Sequence, residues 1–143
     1  MATVELRFSA LPEHVRTARL VAAAVARRAG VDESVLDEVR LAVGEACTRA
    51  VYLHRSSGVD RPVRVVLVED EKKFSIEVGD EVPDTGSSST GAEGGTPSEE
   101  AEEEGQMGLA VISGLVDDVE VTSGEAGGTI RMSWPTTTAA VLP

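Results

Sequence analysis

The stretch from residue 63 to residue 80 restricts the fold most. VRVVLVE (63–69) is rich in β-branched residues, and FSIEVGD (74–80) alternates, placing Phe74, Ile76 and Val78 on one face. Only DEKK lies between the two runs, a length that suits a short hairpin loop. Strands joined this way run antiparallel, and their apolar side must be covered by something else in the chain.

The upstream sequence supplies the cover. VELRF (4–8) alternates and predicts a strand. A helix follows, with Pro12 at its first position, Glu13 in its first turn, and Arg27 and Arg28 in its last. Val15, Ala18, Ala22, Val25 and Ala29 recur at steps of three and four, and Gly30 is placed to end the helix. Asp32 is the expected N-cap of a second helix. Its inner stripe is Val35, Val39, Ala42, Ala46, Ala50 and Leu53, widened by Leu36, Val43 and Cys47, so more than one side should be buried. Asp37, Glu38 and Arg40 fall on the expected wet side.

Composition breaks at residues 83–105, a run of Gly, Ser, Thr, Pro and Glu with little to bury. It reads as a flexible acidic loop or lid, its acid concentrated at 93–104. MGLAVISGLVDD (107–118) predicts a short helix, and VEVTS and TIRMSW predict strands joined by the turn-rich GEAGG. Residues 136–143 read as a frayed end. The order β-α-α-β-β-loop-α-β-β predicts a single domain over 1–143, a two-layer α/β sandwich whose mostly antiparallel sheet is covered on one face by helices.

Charge and cysteine content narrow the function. A formal net charge of −12 argues against nucleic acid and against an anionic membrane surface, and is compatible with a basic protein partner. Cys47 is the only cysteine, which excludes an intramolecular disulfide and suits a reducing cytosol. No apolar run approaches the roughly 20 residues of a membrane span, and the first residues lack a signal pattern, so the expectation is a soluble cytoplasmic protein. Cys47 lies on the apolar stripe and reads as a small core residue. His14 and His54 have no partners at metal-ligand spacing.

Three short motifs carry more specific information. The second helix contains Glu45-Ala46-Cys47-Thr48-Arg49-Ala50-Val51, the strand at 74–80 runs into Asp80-Glu81-Val82-Pro83-Asp84, and the third helix is preceded by Gly105-Gln106-Met107-Gly108-Leu109. Together with the element order, they resemble the anti-sigma-factor serine kinases of the histidine-kinase-like ATPase superfamily, with its Bergerat nucleotide fold. The resemblance spans roughly residues 4–134. It implies a binding regulator with a sigma factor and a STAS-domain anti-anti-sigma factor as partners, and it allows a homodimer formed through the first strand and helix.

Residue by residue, the resemblance makes Glu45 the catalytic base of a kinase, should the protein be active, and makes Asp80 the adenine-recognising carboxylate. Gly105 and Gly108 fall near the third nucleotide-binding box. The first box, E-x-x-x-N-A, has Arg49 where the family's Asn holds Mg²⁺. A guanidinium has no acceptor atoms and a permanent positive charge, so it cannot ligate a metal. The second box, D-x-G-x-G, has Val82 and Asp84 at its glycines, and the third has Gln106 at its first glycine. Arg49, Asp80, Gly105 and Gly108 would thus form a vestigial ATP pocket in which Mg²⁺ is not expected and ATP is doubtful. The alternative is an active kinase that phosphorylates a STAS-domain partner. For Glu45 and Arg49 themselves, the spacing predicts a structural i,i+4 pair, with an Arg49–Asp80 pair across the old pocket as the other option.

Overall fold

The computed structural model describes residues 2–83 and 109–136. Its sheet contains β1 (Ala2–Phe8), β2 (Val63–Glu69), β3 (Lys73–Asp80), β4 (Asp118–Gly124) and β5 (Gly127–Pro135). The spatial order is β1-β2-β3-β5-β4, and every neighbouring pair is antiparallel. Helices α1 (Glu13–Ala29) and α2 (Leu36–Ser56) lie side by side against the sheet. A third helical stretch, α3 at 109–115, adds Ile112 to the same core. This is the two-layer sandwich that the element order implies.

Alternation along the strands separates the two sheet faces. Val63, Val65 and Leu67 of β2, Phe74, Ile76 and Val78 of β3, and Ile130, Met132 and Trp134 of β5 are buried in the core. The opposite face is charged and laced across strands. Glu5 accepts from Arg64 Nε at 3.3 Å, and Arg131 stands 3.9 Å from Glu77, its partner in the β3–β5 register. Exposed pairs of this kind contribute little stability, a few tenths to about 1 kcal/mol each.

Local rules account for most boundaries. Gly30 takes φ 101°, the left-handed region, and its N–H bonds the carbonyls of Ala26 and Arg27 to end α1. Asp32 accepts from Ser34 N–H, but it caps a 3₁₀ turn (Glu33–Val35) that precedes α2. Ala26, and not Val25, completes the buried stripe of α1. From Ala18 to Ala29 the buried stripe of α1 is alanine throughout, which lets α1 lie close to its neighbours, and the larger Val25 is left half-buried.

The expected wet side of α2 is wet only at Asp37. Glu38 is half-buried and accepts from Trp134 Nε1 at 3.1 Å. Arg40 is half-buried with Nη1 unpartnered. The helix expected at 107–118 is helical over 109–115 among the described residues, and Asp118 already belongs to β4. The acidic loop expected from residue 84 on, the box at Gly105 to Gly108 and the tail from residue 137 lie outside the described residues.

Candidate functional site

A cavity of about 260 Å³ opens where α2, the end of β3 and the β4–β5 hairpin meet. Arg49, Leu53, Asp80, Val82, Thr122 and Thr129 line it. The hairpin reaches β3 because Gly127 is a glycine. It has φ 134°, and a Cβ there would lie 2.0 Å from the Asp80 carbonyl oxygen. Asp80 pairs with Gly128 in the ladder and is 9% exposed. Its Oδ1 accepts the backbone N–H of Val82 at 2.9 Å and of Gly128 at 3.3 Å.

Arg49 faces the same cavity in a different condition. Its Nε is buried and has no hydrogen-bond partner. Among the described residues, no ion pair joins it to Glu45 or to Asp80. Burial draws the guanidinium pKa down, and the nearby Asp80 charge only partly offsets that. The structural i,i+4 pair expected from the spacing is therefore absent. Arg49 also does not close the cavity by bonding Asp80, although the two residues line it together.

Glu45 lines a different surface, a groove of about 270 Å³ between α1 and α2 that it shares with Arg16, Arg19, Leu41 and Thr48. Gly44 makes that groove possible. A Cβ there would come within 2.8 Å of Arg19 Cδ, so the missing side chain lets Arg19 lie across α2. Arg16 and Arg19 form no ion pair among the described residues. Leu41, at 48% exposure, and Leu20, at 58% on α1, add apolar surface to the two helices. Glu45 and Arg49 sit one turn apart in sequence yet face separate concavities.

His54 holds the pocket's wall from behind. It is fully buried. Nε2 accepts the backbone N–H of Glu81 at 2.9 Å, and Nδ1 lies 2.9 Å from the Arg61 carbonyl oxygen. An amide N–H can only donate, so Nε2 carries no proton and Nδ1–H donates to Arg61. The neutral ring thus ties the C-terminal turn of α2 to the residue after Asp80. Arg61 also reaches Glu81 directly at 3.0 Å. The sequence shows only that His54 lacks metal-ligand spacing and does not show this role. The signal that could have revealed it is its place on the buried face just beyond Ala50 and Val51, where a polar side chain needs partners.

Cys47 is buried, and burial pushes its thiol up to about 12, as suits a core residue. Gly105 and Gly108 lie outside the described residues. The donor set does not suit Mg²⁺. Arg49 offers only N–H groups, and the one carboxylate among the described lining residues already has an oxygen engaged by two amides.

Residues 8–134 match the family described as the histidine kinase-like ATPase domain. Serine-protein kinase RsbW of Bacillus velezensis is 30% identical over 135 residues, covering 91% of this chain and 83% of the relative. Its counterpart in Bacillus pumilus is 32% identical over 142 residues, with the same coverage. Among solved structures, the crystal structure of the RsbU and RsbW domains of a Mycobacterium tuberculosis protein shares the fold. It has a TM-score of 0.66 at 19% identity, over 93% of this chain and 31% of that one.

Proposed function

Since the chain belongs to the histidine kinase-like ATPase family and is related to the RsbW serine-protein kinases, we propose that it is an anti-sigma regulator acting by sequestration. In this reading it binds a sigma factor, a STAS-type anti-anti-sigma partner, or both, and transfers no phosphoryl group. One observation carries the proposal. The residue at the metal-binding position of the first box is Arg49, a cation facing the pocket that makes no ion pair among the described residues. Phosphoryl transfer depends on a cation that bridges the β- and γ-phosphates, and a guanidinium cannot anchor one. The separation of Glu45 from the Arg49–Asp80 pocket supports the same view.

The groove between α1 and α2 suits a protein partner. Arg16 and Arg19, without an ion pair among the described residues and beside the exposed Leu20 and Leu41, fit an acidic, amphipathic segment. The overall charge of −12 acts at longer range and steers the chain toward a partner that is basic elsewhere. The test is a pull-down with purified sigma factor in the absence of nucleotide. Capture is the expected result, and a strict requirement for ATP would contradict the proposal.

The relatives' printed activity favours one other reading, an active serine kinase with Glu45 as base and Asp80 holding adenine. Incubation with labelled ATP and a STAS-domain partner separates the two. A labelled serine establishes the kinase.

A further inference from the structure

An arginine is rarely buried without an anion beside it, because desolvating the charge is costly unless it is paired. Arg49 is half-buried, and the one carboxylate near it, Asp80, does not bond it. Its Nε has no partner, it makes no ion pair among the described residues, and its surroundings draw its pKa down. Asp80 lies close enough to offset part of that shift but forms no ion pair with Arg49, and its Oδ1 is taken by the amides of Val82 and Gly128. The two charges instead line a cavity of about 260 Å³, together with the hydroxyl-bearing Thr122 and Thr129. A pocket with a fixed cation, an acceptor and hydroxyl groups is matched by a ligand with an anionic group and an N–H donor.

We infer that this pocket binds nucleoside phosphates without a divalent cation, with Arg49 supplying the positive charge that Mg²⁺ supplies in an active kinase. The inference rests on the reading that the cavity is the family's nucleotide pocket. It changes what the pocket selects. The preferred ligand is the free nucleotide, because chelated Mg²⁺ lowers the negative charge that Arg49 attracts and brings a second cation up against the guanidinium. Bound in this way, the nucleotide is not a phosphoryl donor.

The experiment is isothermal titration of the full chain with ADP and ATP, in EDTA and in excess Mg²⁺. Binding in EDTA, with a Kd that Mg²⁺ leaves unchanged or raises, is the expected result. Heat that appears only with Mg²⁺ overturns the inference, and so does the absence of heat with either nucleotide in both buffers. Arg49→Asn, which restores the family's ligand, should weaken binding in EDTA by about tenfold or more and make it Mg²⁺-dependent. Arg49→Lys should keep binding indifferent to the metal. Equal ADP affinity in EDTA for wild type and a folded Arg49→Asn variant counts against the inference. Sigma-factor capture without nucleotide is scored separately. Its failure removes the sequestration reading and leaves the titration result standing.

Discussion

The two concavities that flank α2 differ in how their cations are held. In the groove against α1, Arg16 and Arg19 lie at the surface, and a glycine at position 44 gives Arg19 its path. In the pocket against the β4–β5 hairpin, Arg49 is recessed and its Nε has lost water without gaining a partner. The first arrangement costs little to maintain and suits a large, reversible protein contact. The second carries a standing desolvation cost that a small anion relieves. One helix thus borders two concavities of different character, with Glu45 and Arg49 four residues apart.

The largest expected effect lies behind the pocket. His54→Leu leaves the Glu81 N–H and the Arg61 carbonyl buried and unpaired, at about 1–3 kcal/mol each. A loss of about 2–4 kcal/mol in urea denaturation is expected. A loss below about 1 kcal/mol would mean that water replaces the ring. His54→Asn, which keeps a donor toward Arg61 but has nothing to offer Glu81, should fall between the two.

Next comes the groove. The double substitution Arg16→Glu and Arg19→Glu should weaken partner capture by about ten- to a hundredfold while leaving the melting temperature nearly unchanged, since neither arginine makes an ion pair in the described structure. Equal loss of stability and capture would remove the distinction between groove and pocket. Arg49→Met tests the pocket's standing cost. Removing a half-buried charge that solvent and Asp80 already screen in part should raise stability by no more than about 1 kcal/mol in denaturant titration, while nucleotide binding is lost.

The smallest effects sharpen the contrast. Gly44→Ala pushes on the flexible end of Arg19, and the gain in helix propensity, about 1 kcal/mol, offsets the crowding. Stability should move by less than about 1 kcal/mol, with a modest drop in partner capture. Cys47 should stay unmodified by thiol reagents in the native protein at neutral pH, because its pKa is pushed up to about 12. Modification would then report unfolding.

The elements were legible where local chemistry decides them. The β-branched and alternating runs at 63–80, the left-handed Gly30 and the wide apolar face of α2 all needed only neighbours in sequence. The choice between Val25 and Ala26 depended on how closely α1 meets α2, which periodicity does not encode. The Glu45–Arg49 spacing is favourable for a pair, but two long side chains go where the surrounding elements leave room. Here α1 draws one away, and the pocket takes the other. His54 was missed for a related reason. Its partners, Arg61 and Glu81, come from a loop and a strand exit that meet only after the sheet has formed. At the pocket, Arg49 and Asp80 were both found from the boxes, whereas Thr122 and Thr129 emerge from the hairpin's register.

The strand order has a consequence for how the molecule is made. β5 is made after β3 and β4 but occupies the slot between them. Until it leaves the ribosome, β3 has a bare edge and Asp80 lacks its Gly128 contact, so a nascent chain stopped before residue 127 has the described helices but not the cavity wall that Gly128 and Thr129 supply. The cavity should therefore form only once the β4–β5 hairpin has emerged, whereas the surface shared by the two long helices is complete in sequence by residue 56.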